Sequence, residues 1–379
     1  LCERESPDFL LLAGDVYNQE DASVSAQLAL RDGFRRLESL SIPVFLVHGN
    51  HDPLASRLRS VRWPGNVTVF GELPDAVPVF RKGEGTPLAI THGASHASGR
   101  ETRNLAALFR RTEACGLHVG LLHATPGDAD GVARYAPFSQ GDLKASGMDY
   151  WALGHIHDRR EVCREPLAAY PGCTQGLHIN EPGEKGCLLV TAEARPDGGY
   201  AVRTSFRPLG PAVWKTLDMD LGGAASLDEL ENRLRTGLDR AAAEVWSGCE
   251  MLLVRLRLQG RTELDGLLRK GTTCAELADR LREDGSGVPR IWIKDIDVAT
   301  RPCVERGALL EREDLLGEVF RLSEAARTAS GLQALREGPL APLFAHARAG
   351  KALEPLTDEE LARLLDDAES LCLDLLEND

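Results

Sequence analysis

Four short motifs carry residues able to bind metal ions: Gly14-Asp15, Gly49-Asn50-His51-Asp52, His123 and Gly154-His155-Ile156-His157. Each follows a short apolar run. Phosphodiester cleavage needs charge neutralisation and an activated water, and two cations about 3.5–4 Å apart supply both. Asp15 offers the carboxylate that could bridge such a pair. Asn50 offers an amide oxygen, and the histidines offer ring nitrogens. Mixed oxygen and nitrogen donors suit Mn²⁺, Fe²⁺ or Zn²⁺ better than Mg²⁺ or Ca²⁺. In an extended segment His155 and His157 fall on one side, because side chains alternate with period two. They can then serve two adjacent ions. His51, next to Asn50, can reach over the site without binding metal, to protonate a leaving oxygen or stabilise phosphoryl charge. Asp52 is expected to orient it. His92 also follows a strand-like run (Leu88-Ala89-Ile90), so the residues alone leave His92 and His123 in competition for one ligand position.

The elements that must position these groups are legible. Phe9 to Ala13, Val44 to Val47, Val119 to Leu122 and Tyr150 to Leu153 read as buried strands, each ending at a motif. Residues 22–40 carry apolar groups at helical spacing, which gives a strand–helix–strand unit. Open α/β sheets place their sites at the carboxyl ends of strands. From Val67 to His92 short strands are broken by Gly and Pro, and strands continue near 168–170 and 187–192. Arg195 to Gly199 reads as a hairpin turn. A boundary is expected near Pro208–Pro211. Beyond it, Trp214–Leu221, Met251–Leu258 and Ile291–Val298 read as strands and 226–245 as a helix. From 308 onward the chain reads as helical. Thr357 and Glu360 have the spacing of a capping box. Leu361, Leu364, Leu365, Ala368 and Leu371 then suggest one apolar stripe.

At 379 residues the chain is long enough for two or three domains. Hydrophobic content of 43% and charged content of 27% are ordinary for a globular protein. No apolar run reaches the ~20 residues of a membrane span. The nine cysteines are scattered without a C-x-x-C pair, which fits free thiols and a cytoplasmic setting. The net charge of −14 argues against a large non-specific nucleic-acid surface. Residues 1–210 hold 22 Lys+Arg against 25 Asp+Glu, a balance of −3, so the remaining −11 lies behind the motif-bearing half. Arg57, Arg59 and Arg62 offer a local basic patch, more simply read as a solvated helix face.

The chain resembles the calcineurin-like metallophosphoesterase superfamily and, within it, the SbcD-type DNA repair nucleases of the YhaO-like branch. The resemblance rests on Leu11–Tyr17, Val47–Asp52, Tyr135–Ser139, Asp149–His157, Gln175–Ile179 and Glu184–Cys187, with Arg312–Gly317 and Leu371–Leu376 in the tail. It implies a two-sheet sandwich flanked by helices (1–207), a small α+β capping domain (208–300) and a helical C-terminal region (301–379). It also implies hydrolysis of DNA ends with two divalent metals, Mn²⁺ foremost. The expected partners are DNA and an SMC-like ATPase that docks on the tail, with a homodimer suggested. By the same resemblance Asp15 bridges the metals, Asn50, His123 and His155 hold the second, and His157 belongs to the first.

The resemblance also implies an Asp-x-His motif before Asp15. The sequence begins at Leu1 without it, so a clipped start is expected. The second-metal set is then whole, the first is reduced to Asp15 and His157, and a sheet lacking its opening strand is expected to expose apolar core. Asn18 stands where archaeal and eukaryotic members carry a catalytic His. Cys173 and Leu177 stand where the branch usually has Asn and Arg. Two alternatives follow: a phosphodiesterase acting on cyclic nucleotides or other small diesters, and an inactive subunit that only binds its ATPase. His48, His96, His118 and His346 read as non-ligands, and His178 is balanced between a substrate-facing loop and a structural role. Tyr135 and Trp151 read as core aromatics rather than base-stacking platforms.

Overall fold

Apolar runs without polar alternation suit parallel strands covered on both faces, and the first two runs become such strands. In the computed structural model β1 (Leu10–Ala13) and β2 (Val44–Val47) pair in parallel, Leu10 opposite Val44 through Ala13 opposite Val47. β3 (Val67–Val69) joins the far side of β2. Every residue of β2 is buried, whereas β1 lies at the sheet edge and is half-buried. The helix Val24–Ser39 connects the two, and the Ser23 side chain caps it by accepting the Ala26 N–H. The structure describes all residues except 18–22, 56–60, 82, 128–133, 197, 284–286, 304–305, 347–352, 354 and 378–379. Asn18, Arg57 and Arg59 lie outside the described residues; Arg62 is exposed.

A second sheet has six strands. Their order is β4 (Asp75–Val79), β5 (Ala89–Ala94), β6 (Leu117–His123), β7 (Tyr150–Gly154), β9 (Leu167–Tyr170) and β8 (Arg160–Arg164). Its inner strands are parallel, and β4 and β8 are antiparallel edges. Phe45, Val47 and Phe70 of the first sheet's side share one core with Val119, Leu121 and Tyr150 of the second. Phe34, Leu30 and Leu37 of the helix cover the outer face of the small sheet. Trp151, Phe109 and Leu143 fill the outer face of the large one. The result is the expected sandwich of two sheets between helices. β10 (Gly186–Ala194) and β11 (Tyr200–Pro208) form a hairpin, closed by the Arg195 N–H donating to the Gly199 carbonyl at 2.7 Å.

The chain divides into two compact units, Leu1–Val213 and Trp214–Asp379. The second unit is built on β12 (Ala212–Asp220), β13 (Met251–Thr262) and β14 (Arg290–Pro302), in that order across the sheet. Leu252, Val254, Leu256 and Leu258 alternate inward on β13, and Leu230, Leu234 and Leu238 of the helix Leu227–Ala243 are also buried. Helices follow from Arg306 onward, the last being Asp358–Glu377. Its capping box is formed: Thr357 Oγ1 accepts the Glu360 N–H, and Glu360 accepts the Thr357 N–H.

The apolar stripe on that helix needs correction. Leu361 is buried, but Leu364 and Leu371 are 46% and 58% exposed, and Ala368 is exposed as well. The inward face instead carries Glu369, Ser370 and Leu373. Glu369 meets Arg306 at 2.6 Å and Arg327 at 3.2 Å, so two ion pairs with half-buried arginines hold this carboxylate on the inward face, where hydrophobic spacing alone suggested another orientation. All nine cysteines are free thiols. Among the described residues no helix is long and apolar enough to cross a membrane.

Candidate metal centre

The carboxyl ends of β1, β2, β6 and β7 converge, and each delivers one motif. The strands can come this close because of their glycines. A Cβ on Gly49 would strike the Asp15 carboxylate, and one on Gly154 would strike the Ala13 carbonyl oxygen. Asp15 itself has φ 49° and His155 φ 104°, left-handed values that cost non-glycine residues energy and concentrate at functional sites. Asp15, His123 and His155 each present a ligand atom within 4.8 Å of the others. Asn50 completes the group, its Oδ1 lying 3.0 Å from His123 Nε2.

His123 is the centre of this cluster and is 1% exposed. Its Nδ1 donates to the Ala13 carbonyl at 2.8 Å, which fixes the ring and leaves Nε2 facing Asn50 Oδ1 and, at 3.2 Å, Asp15 Oδ2. Three atoms that accept hydrogen bonds thus point at one spot, and one proton on Nε2 is the most the protein alone can put there. A divalent cation in place of that proton would find all three as donors, so the residues present fit a metal. Burial works to raise the Asp15 carboxyl; the hydrogen bond and charge of His123 and the His51 amide outweigh it and hold the carboxyl below its usual range. The His155 ring lies 5.2 Å from both the His123 and Tyr135 rings. Tyr135 is half-buried and forms a wall against His155, a role its sequence context did not reveal.

Asp52 is buried and both its oxygens receive main-chain donors. Oδ1 accepts the Gly49 and Asp15 amides at 2.8 and 3.2 Å, and Oδ2 accepts the Val16 amide at 3.1 Å. What the structure shows Asp52 holding is therefore the two ligand loops, where the sequence suggested it holds the His51 ring. His51 anchors differently: its amide donates to Asp15 Oδ1 at 2.9 Å, and the residue is exposed.

His157 stands apart from the Asp15 group. It is 59% exposed, and its Nδ1 meets Glu181 Oε1 at 2.5 Å. Cys173 also presents a ligand atom within 4.8 Å of both. The sequence does not single out Glu181, because it falls between the Gln175–Ile179 and Glu184–Cys187 segments and no apolar run precedes it. His92 does not join the centre either; its Nε2 pairs with His118 Nδ1 at 2.9 Å, both buried. His96 is buried with its Nε2 on the His123 carbonyl at 2.6 Å. Trp151 is a fully buried core residue.

Two sheets sandwiched between helices, with carboxylate, amide and imidazole donors at the strand ends, define a calcineurin-like metallophosphoesterase, and the chain belongs to that family. The calcineurin-like phosphoesterase family matches residues 1–159, and the middle domain of metallophosphoesterase YhaO matches residues 214–301. More particularly, the chain is 33% identical to the uncharacterized metallophosphoesterase YhaO of Bacillus subtilis (strain 168), over 89% of this chain and 80% of that one. It is 27% identical to the DNA double-strand break repair protein Mre11 of Aeropyrum pernix, over 64% of this chain and 60% of that one. The corresponding protein of Haloferax volcanii is 24% identical over 84% of this chain and 69% of its own length. The family is one of metal-dependent hydrolases, so divalent metals and phosphoester hydrolysis come with membership.

Proposed function

We propose that this protein hydrolyses DNA ends as the nuclease subunit of a repair complex, with Mn²⁺ as its metal. The observation that carries the reading is the convergence of Asp15, Asn50, His123 and His155 on one spot, with His123 Nε2 facing two oxygens at 3.0 and 3.2 Å. The two Mre11 relatives support DNA as the substrate. Asp15, Asn50, His123 and His155 would hold one metal, and Asp15 with His157 would contribute to the other. When bound, the metals polarise the phosphodiester and lower the pKa of a bound water.

The chain's own groups do the rest. Asp52 fixes the Asp15 and Asn50 loops through their amides. His51 reaches over the site from the exposed rim and donates a proton to the leaving oxygen. Tyr135 keeps the His155 ring in place. The helical region 301–379 is the surface for an SMC-like ATPase. Leu364, Leu371 and Leu375 lie exposed on one helix at spacings of seven and four, an apolar stripe suited to a partner helix. The capping domain at 208–300 and a homodimer complete the proposed organisation, in the cytoplasm.

Asp15→Ala and His155→Ala in the full-length protein should each bring Mn²⁺-dependent cleavage of a DNA duplex and of bis-p-nitrophenyl phosphate to background. Full turnover by either variant would remove the site. Wild-type turnover of the small ester without DNA cleavage would move the substrate to small diesters. Binding to the ATPase with neither activity would make the chain a binding subunit.

A further inference from the structure

We propose, on the DNA reading above, that the Lys185 ammonium holds a phosphate of the strand next to the scissile one, on the His157 side of the metal centre. Lysine is almost never fully buried without a partner, yet Lys185 is 7% exposed. Among the described residues its one ion-pair partner is Asp158, whose Oδ1 lies 3.9 Å from Nζ. That gap is too long for a hydrogen bond. The Asp158 side chain is 84% exposed, so water screens what attraction remains. An ammonium carries three N–H donors and no acceptor. Here, among the described residues, none of the three meets a protein oxygen at hydrogen-bond distance. A buried charge left in this way costs stability, and an anion bound to it offsets that cost.

The fold fixes where the cation stands. The Leu209 and Gly210 N–H groups both donate to the Lys185 carbonyl, at 2.9 and 3.1 Å. The Gly186 N–H donates to the Cys173 carbonyl at 3.1 Å. Gly186 is pressed against β11, where a Cβ would lie 2.0 Å from the Arg207 carbonyl oxygen. The backbone at Lys185 is thus held on two sides. Its side chain reaches the loop after β7 beside Asp158, the residue that follows His157. The Cys173 sulfur, within 4.8 Å of the His157 and Glu181 ligand atoms, feels the same ammonium. Burial pushes that thiol up, Glu181 adds to the effect, and Lys185 opposes it.

An anionic oxygen is the ligand that fits. The buried stem packs as an apolar chain and presents the charge at its end. A point charge with rotatable donors takes a phosphate oxygen without demanding a fixed angle. It positions the backbone of the strand and reads no base. A small diester has a single phosphate, which the metals occupy, and leaves Lys185 nothing to hold. Lys185 therefore distinguishes a polymer from a small ester, which the metal ligands alone do not.

The test is binding of a short fluorescein-labelled single-stranded oligonucleotide to full-length Asp15→Asn protein, which should not cut it, read by anisotropy across a salt series. Adding Lys185→Met should weaken binding roughly 10-fold. It should also make the salt slope shallower by about 0.7, the share of one phosphate, and do so equally for different sequences. With Asp15 restored, the same change should lower kcat/KM on DNA relative to bis-p-nitrophenyl phosphate by a similar factor. Its melting temperature should stay level or rise, because an unpaired buried charge is gone. Asp158→Asn should tighten DNA binding, because a competing acid is removed. Unchanged affinity and slope in Lys185→Met overturn the proposal and leave the DNA reading standing. A lower melting temperature marks a structural lysine and overturns it too, as does a loss in Asp158→Asn equal to that in Lys185→Met. Absence of DNA binding in Asp15→Asn, with a wild type that cuts only the small ester, removes the DNA reading itself.

Discussion

His123 and His157 are both metal-ligand candidates and both are held by Nδ1, yet they sit in opposite surroundings. His123 is 1% exposed and donates to a main-chain carbonyl of the neighbouring sheet. His157 is 59% exposed and is held by a side chain from a loop. The first ring is fixed by two sheets packing together and cannot turn without disturbing them. The second is held by a hydrogen bond to Glu181 on the exposed side of the fold. Preorganisation at this site thus follows the sandwich interface rather than the motif.

The largest expected difference comes from truncating each ring. His123→Ala should abolish phosphodiesterase activity and also destabilise the first unit by about 1–3 kcal/mol, because a buried ring is lost and the half-buried Ala13 carbonyl loses its donor. His157→Ala should cost less, about 1 kcal/mol, because an exposed ring is lost and the Glu181 oxygen it held still has His178 Nε2 3.7 Å away. Paired melting curves and activity assays check both. Equal melting losses would show that the contrast in burial does not govern the site.

Asp52 sharpens the same contrast with a smaller effect. Asp52→Asn replaces one accepting oxygen by a donor, so an amide of the Gly49, Asp15 or Val16 set is left facing another N–H. The expected outcome is a cost of about 1–3 kcal/mol and metal affinity weakened about 10–100-fold. Both would be seen by thermal melts and Mn²⁺ titration. If the loss fell only on turnover, with metal affinity intact, Asp52 would be acting on His51 after all.

Much of this centre was readable because it lies where local pattern and fold agree. The runs before Asp15, Asn50, His123 and His155 are unbroken apolar stretches, and buried parallel strands write themselves that way. The glycines at 49 and 154 read as motif letters, but their reason is a collision across strands that no single strand contains. Glu181 and Tyr135 were not legible because each acts through a loop whose course depends on distant hydrogen bonds. The last helix is the opposite case: its leucine spacing is legible and the direction it faces is not. A carboxylate beside an apolar stripe reads as solvent-facing, and here Arg306, Arg327 and the Ser323 side chain from other helices hold it inward.

Acid provides the gentlest way to separate buried from exposed histidines. His92 sits in the same sheet as His123. It faces His118, Arg111 and Asp75, and His118 in turn lies beside Arg111 and Asp149. Burial, then repulsion from His118 and Arg111, pushes His92 down to about 4, while Asp75 opposes them. A histidine whose folded pKa is depressed binds fewer protons folded than unfolded, so stability falls as pH drops from its ordinary value of 6.5 towards 4. The first unit should therefore melt progressively lower across that window. At roughly 2–4 °C per kcal/mol for a unit of this size the change is measurable. His92→Asn should flatten the slope, because the buried ring that must take up a proton is gone. A slope unchanged by His92→Asn would place the acid sensitivity elsewhere and remove burial as the property dividing these histidines.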